Sequence, residues 1–420
     1  MLQMMKGMKL DITIKLIMLC FLEFAVWGAY LTSMGIYLFS VGLGDKIGWF
    51  FAMQGVASIF MPAIMGVVAD RWVPAQKLLA LCHFVSALFL AAAGLMGFVK
   101  GGNVEFADLF VPYMFSVAFF MPTIALTNSV SYAVLAGEQR DPEKAFPRIR
   151  VFGTVGFIVS MWLVDLLGMK ASPAQFLMAS FWGVLMALYS LGMPDCPPRR
   201  VKSGRTLKSL LGFDTFRCIV DRKMALFFLF SMLLGCALQV SNGYAGAYLS
   251  SFATDVRYVG TFTVKYPVIM TSLSQISETV CILLIPFFLT RFGIKKVMLT
   301  AMAAWSLRFL LLGVGNPGNG VWLLVLSMMV YGIAFDFFNI SGSLYVNRCV
   351  DKDMRSSAQG LFMLVTNGLG ASIGMVVAQK VVDFSLAHAG WSMAWYIFSV
   401  YAAVIAVLFF FSFKEENNVN

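Results

Sequence analysis

The chain alternates long apolar runs with short polar seams. The runs lie near 13–39, 46–69, 75–98, 106–135, 147–168, 172–193, 223–250, 263–290, 294–315, 319–347, 356–384 and 390–413. Each is long enough to cross a bilayer, which takes about 20 mostly apolar residues. One seam differs from the rest. Residues 194–222, "PDCPPRRVKSGRTLKSLLGFDTFRCIVDR", are long and basic and divide the predicted helices into six and six. The pattern therefore predicts an all-α membrane protein with twelve transmembrane helices. They form two six-helix bundles, 1–193 and 223–420, joined by a basic linker over 194–222. Lys6, Lys9 and Lys15 precede the first run, as in a secretory leader. That run continues to Phe39, too long for a leader's apolar core, and shows no small-residue cleavage site. It reads as the first membrane helix.

Composition agrees. Of 420 residues, 60% are hydrophobic and 12% charged, whereas soluble domains run about 45–50% apolar and about 25% charged. The net charge of +10 suggests a nucleic-acid partner only until the charges are placed. No basic helix or aromatic–basic module stands out, so no nucleic acid is expected. Twenty-four of the 31 Lys and Arg fall on one side of the predicted membrane, including Arg71, Lys77, Arg140, Arg291 and Lys295. The positive-inside rule makes that side, and both termini, cytoplasmic. The seven cysteines form no CxxC or CxxH pattern, and His83 and His388 are the chain's two histidines. No metal and no cofactor is expected, and the absence of a nucleotide loop or sizeable soluble domain argues against an enzyme.

The six-plus-six layout with a long cytoplasmic middle loop resembles the major facilitator superfamily. After the second run, "GVVADRWVPAQK" resembles that superfamily's G-x-x-x-D-R-x-G-x-R/K loop through Gly66, Asp70, Arg71 and Lys77, with Val73 in place of the second Gly. "TRFGIKKV" occupies the matching point of the second half with Arg291, Gly293 and Lys295 but lacks the acid. Together the two loops suggest an internal duplication. Such folds bind substrate at the midplane between halves that rock around it.

Polar side chains inside the apolar runs carry the chemistry. Residues three or four apart share a helix face. Gln239 and Asn242 do so in the seventh run, Gln275 and Glu278 in the eighth, and Asp336 and Asn339 in the tenth. Arg150, Thr154 and Phe157 make one face of the fifth. A single amide is enough to glue two helices, at about 0.6 kcal/mol. A carboxylate at mid-membrane costs about 2.5–3.5 kcal/mol and usually faces a cavity or a partner charge. Glu278 and Asp336 are therefore predicted to be functional. Glu23, in "CFLEFAVWGAY", suits either a cavity or a structural pair. Arg308, inside the ninth run, is expected to neutralise one of the acids. Gly370 and Gly374 form a GxxxG that allows close helix packing. Amides, acids and rings such as Phe157, Tyr331 and Phe335 suit a neutral, hydroxyl-rich ligand with a flat polar ring. A nucleoside fits best and a sugar less well.

At this point the sequence resembles the nucleoside:proton symporter family of the major facilitator superfamily, the bacterial nucleoside and xanthosine permeases. The likeness runs through "FMPAIMGVVADRW", "RIRVFGTVGFI", "SQISET", "VYGIAFDFFNISGS" and "SAQGLFMLVTNGLG". It implies a multi-pass permease of the bacterial inner membrane that takes up nucleosides such as uridine or adenosine with protons. By motif it implies a site of Arg150, Thr154, Phe157, Gln239, Asn242, Gln275, Glu278, Tyr331 and Asp336. Asn339 joins from spacing alone. Tyr331 lies about 140° from Asp336 around an ideal helix, so a kink or a different cavity level is needed to bring both into one site. Asp336 or Glu278 is expected to carry the proton, the coupling ion, and the chain to act as a monomer in the bilayer. The alternative is a proton-coupled sugar or drug transporter of the same fold.

Overall fold

The computed structural model describes residues 11–198, 222–350 and 355–413. Most of the basic linker over 194–222 lies outside them. Among the described residues all regular structure is helical, as a lipid solvent requires of a chain that must satisfy its backbone polar groups within each segment. The N-terminal half contains α1 (Ile12–Gly28), α2 (Met34–Ser40), α3 (Ile47–Arg71), α4 (Ala75–Lys100), α5 (Phe106–Gly137), α6 (Pro142–Leu166) and α7 (Ala174–Leu191). The C-terminal half contains α8 (Arg222–Ser251), the single turn α9 (Phe262–Lys265), α10 (Pro267–Phe292), α11 (Ile294–Val314) and α12 (Val321–Cys349). It ends with α13 (Arg355–Met363), a π-helical stretch (Leu364–Gly370), α14 (Ala371–His388) and α15 (Trp391–Ser412).

Eleven helices among the described residues are long and apolar enough to cross a membrane. The predicted first span is interrupted, with α1 stopping after 17 residues and five turn residues preceding α2. Ser33 lies at the break. The Ser33 hydroxyl reaches the Ala29 and Tyr30 carbonyls (3.4 Å each) and Gln175 Oε1 of α7 (2.8 Å). Such side-chain bonds offer the backbone an alternative to the helix ladder.

Within the N-terminal half, α1 packs on α6 and α7, and α4 packs on α5 and α7. Within the C-terminal half, α11 packs on α12 and α15, α10 on α12, and α8 on the π-helical stretch and α14. The closest approaches occur at glycine. A Cβ on Gly156 would meet the Phe21 carbonyl of α1 at 2.1 Å. Gly370 and Gly374 do allow close packing, since a Cβ there would meet the Met232 carbonyl at 2.2 Å and Cys236 Cβ at 2.3 Å, both on α8.

Hydrogen bonds between the halves cluster at the end holding the α2–α3, α6–α7 and α8–α10 connections. Asp165 Oδ2, on α6, accepts from the Val268 and Ile269 amides (2.9 Å each). These are the second and third residues of α10, whose N-terminal donors have no partner within their own helix. Lys170 donates to Asp165 Oδ1 (2.8 Å) and to the Lys265 carbonyl. Trp162 Nε1 donates to Ser272 (2.9 Å). The mirror arrangement joins α14 to α3. There Gln379 Oε1 accepts from the amide of Gly48 (2.6 Å), the second residue of α3, while its Nε2 donates to the Gly44 carbonyl (3.1 Å). Each half thus caps a helix of the other, which fits the duplication read from the loop motifs.

Candidate functional site

The predicted site residues lie on four helices, and α6 brings the first three. Close packing of α6 on α1 sets Phe157 edge-on to Trp27, with ring centroids 6.4 Å apart. Arg150 lies 3.7 Å above the Phe24 ring, a favourable seat for a guanidinium in a poorly solvated place. It makes no ion pair among the described residues, but it stands within electrostatic range of Glu278 and Glu23. Thr154 is half-buried beside them.

The other three helices supply polar groups that the chain leaves unpartnered. On α8, Gln239 Oε1 is buried without a hydrogen-bond partner; on α10, so is Gln275 Oε1. On α12, Asp336 is 4% exposed and its Oδ2 is buried with no partner. Glu278 and Asn242 are half-buried, and Glu278 accepts no hydrogen bond among the described residues. Asp336 lies within electrostatic range of Glu278. Leaving a buried acceptor unsatisfied costs about 1–3 kcal/mol, more for a charged one. These three acceptors are free to receive donors that the described residues do not supply.

Two small cavities adjoin Asn242, Gln275 and Tyr331 on one level and Asn339 on another, and Gln239, Glu278 and Asp336 line neither. One, about 10 Å³, lies between Thr32, Asn242, Gln275, Arg308 and Tyr331. The other, also about 10 Å³, is lined by Phe335, Asn339, Thr366 and Asn367. Each holds about one water. Tyr331 and Gln275 line one cavity, and α12, which carries Tyr331, is continuous from Val321 to Cys349. Tyr331 occupies a different level from Asn339. The shared face expected for Asp336 and Asn339 does not bring Asn339 to Gln275. Its Nδ2 instead donates to the Phe335 carbonyl of its own helix (3.2 Å).

Two expectations resolve differently. Glu23 is fully buried and fully satisfied. His83 Nε2 (2.8 Å), Thr123 (2.7 Å) and Thr127 (2.8 Å) surround its carboxylate. It is the structural pair, not the cavity acid. Arg308, expected to neutralise an acid, has no carboxylate within ion-pair distance among the described residues. Its Nη1 donates to Ser274 and the Ser327 carbonyl, and its Nη2 to Ser241. Sequence reasoning missed Trp27, whose Nε1 is buried without a partner, and the serines Ser241 and Ser274. Each serine directly precedes a predicted site amide, and that adjacency was the available signal.

The family described as nucleoside H+ symporter matches residues 9–418. The chain belongs to that family. It is 45% identical to the xanthosine permease of Escherichia coli (strain K12) over 416 residues, covering 97% of both chains. It is 40% identical to the nucleoside permease NupG of the same organism over 414 residues, again 97% of both. A crystal structure of nucleoside transporter NupG superposes with a TM-score of 0.88, covering 97% of this chain and 100% of that one. A D-xylose–proton symporter, at 15% identity and a TM-score of 0.70, shares the fold. The symporter is thus a multi-pass inner-membrane transporter of the major facilitator fold, and its relatives are permeases rather than enzymes.

Proposed function

We propose that this symporter carries nucleosides inward, coupled to protons, by alternating access. The observation that carries the reading is Glu278 and Asp336, two acids within electrostatic range of one another that accept no hydrogen bond among the described residues, on helices that also bear the unpartnered amide oxygens of Gln239 and Gln275. Hydroxyl and N–H groups of a nucleoside supply the donors those acceptors need. Phe157 and Tyr331 offer flat faces to its base.

In this reading α1 and α2 together form one span. The chain then has twelve spans in two six-helix bundles, 1–193 and 223–420, with both termini cytoplasmic and the basic linker between them. The end tied by Asp165 and Gln379 faces outward, and the conformation is inward-facing. The transporter works as a monomer, with the proton as coupling ion and no other cofactor. With the cavity open outward, Asp336 takes a proton. The nucleoside then enters, its ribose hydroxyls meeting Gln275 and Glu278 and its base meeting Asn242, Thr154 and the rings. A loaded, neutral site is occluded cheaply; a bare carboxylate is not. The halves rock and release both cargoes to the cytoplasm. One proton moving down 100 mV supplies about 2.3 kcal/mol, or about fifty-fold accumulation.

The test is uptake into proteoliposomes under an imposed pH gradient, comparing labelled uridine, adenosine and a disaccharide. Gradient-driven uptake of the nucleosides is expected. Preference for the disaccharide would point to the sugar-transporter alternative and sink the reading.

A further inference from the structure

Arg308 stands where three substrate-facing helices meet. It is 1% exposed, on α11, which carries none of the predicted binding residues. Its Nη2 donates to Ser241 of α8 (2.6 Å), the residue before Asn242. Its Nη1 donates to Ser274 of α10 (3.3 Å), the residue before Gln275, and to the Ser327 carbonyl of α12 (2.7 Å). Ser327 returns a bond to the Arg308 carbonyl (3.0 Å). The guanidinium also lies 4.8 Å from the centre of the Tyr331 ring on α12. One planar group thus contacts all three C-terminal helices that bear the amides and acids. Its partners are two hydroxyls, a carbonyl, the Met328 thioether and a ring, none of them negative.

A buried cation without a carboxylate is costly. A neutral side chain would glue helices at less expense, but it could not reach this many acceptors in one plane. A guanidinium presents five donors in a rigid fork, whereas lysine offers a compact point charge on a flexible stem. We propose that Arg308 is the positioning residue of the transport site, the fork that sets the register of α8, α10 and α12. In that register Asn242, Gln275 and Tyr331 converge on one ligand. The proposal rests on the nucleoside reading for its ligand, though not for its geometry.

The test uses the full-length protein with Arg308→Lys, Ser241→Ala, Ser274→Ala and each serine variant combined with Arg308→Lys. Two readouts are taken, equilibrium uridine binding and amide hydrogen exchange over Ser241–Asn242 and Ser274–Gln275. Removing the fork should raise the uridine Kd about tenfold and speed exchange in both segments by a similar factor. Each serine variant cuts one tie and should raise Kd about threefold. Added to Arg308→Lys, each should change Kd little further, because both act through one contact. A folded Arg308→Lys protein with normal Kd and normal exchange overturns the proposal, as does full additivity. If Arg308→Lys does not fold, the serine variants decide the matter, and unchanged Kd and exchange in both overturn it. Wild-type protein that binds no uridine refutes the nucleoside reading instead, and the exchange readout still judges the fork.

Discussion

Glu23 and Asp336 are both acids buried in apolar helices, and their surroundings are opposite. Glu23, in the N-terminal half, receives His83, Thr123 and Thr127. Both carboxylate oxygens of Glu23 thus have partners within the N-terminal half. Asp336, in the C-terminal half, receives nothing at its buried oxygen. The contrast separates two uses of a membrane acid. One whose charge is satisfied holds helices together. One whose oxygen is unsatisfied is left open to a ligand or a proton, which is the setting the proposed coupling role needs.

The strongest way to break that contrast is Asp336→Asn. In proteoliposomes, gradient-driven uridine accumulation should fall from about fifty-fold to none. Exchange of uridine across the membrane should continue, and the melting temperature should hold or rise. Accumulation that survives unchanged removes Asp336 from coupling. Glu23→Gln should do the reverse. It places an amide N–H₂ against hydroxyl and imidazole donors and should cost about 2–4 kcal/mol of stability. The measurement is the melting temperature in detergent, with accumulation retained at permissive temperature. If Glu23→Gln melts normally and uncouples transport, the roles of the two acids are exchanged.

The outlines of this picture were legible in the sequence, and its pairings were not. Hydrophobic runs announce membrane helices because lipid leaves the backbone no other partner. Amides and acids three apart announce a face because the helix period is fixed. What a face meets depends on folding. His83 lies 60 residues from Glu23, and nothing local pairs them. Charge alone points Arg308 to an acid, but packing gives it serines. The break after α1 falls at Ser33, a residue unremarkable inside an apolar run. Asn339 had the right spacing, yet it bonds its own helix.

Asp165 is a third buried acid and sharpens the contrast from another side. It is satisfied, like Glu23, but one of its oxygens is served by the other half of the chain and the other by Lys170 of its own half. A satisfied acid that spans the halves should hold a conformation rather than a fold. Asp165→Asn weakens charge-assisted capping of α10 by about 1–2 kcal/mol. That shifts the balance between closed and open ends about five- to thirty-fold. Spin labels at Asn103 and Val256, both exposed, should report a longer distance in the variant. An unchanged distance distribution would mean that the Gln379 cap holds this end by itself.

The smallest effect is expected at Tyr331. Each half seats an unpaired arginine on an aromatic face, Arg150 on Phe24 at 3.7 Å and Arg308 on Tyr331 at 4.8 Å. Phe24 has no hydroxyl, so the seat itself needs only a ring. Tyr331→Phe makes the C-terminal pair resemble the N-terminal one and should leave the uridine Kd within about threefold of wild type. Tyr331→Leu removes the ring and should raise Kd further. A loss above tenfold in Tyr331→Phe would place the hydroxyl on the substrate, because the described residues give it no hydrogen bond within the chain. The two arginine seats would then differ in kind, one purely structural and one shared with the cargo.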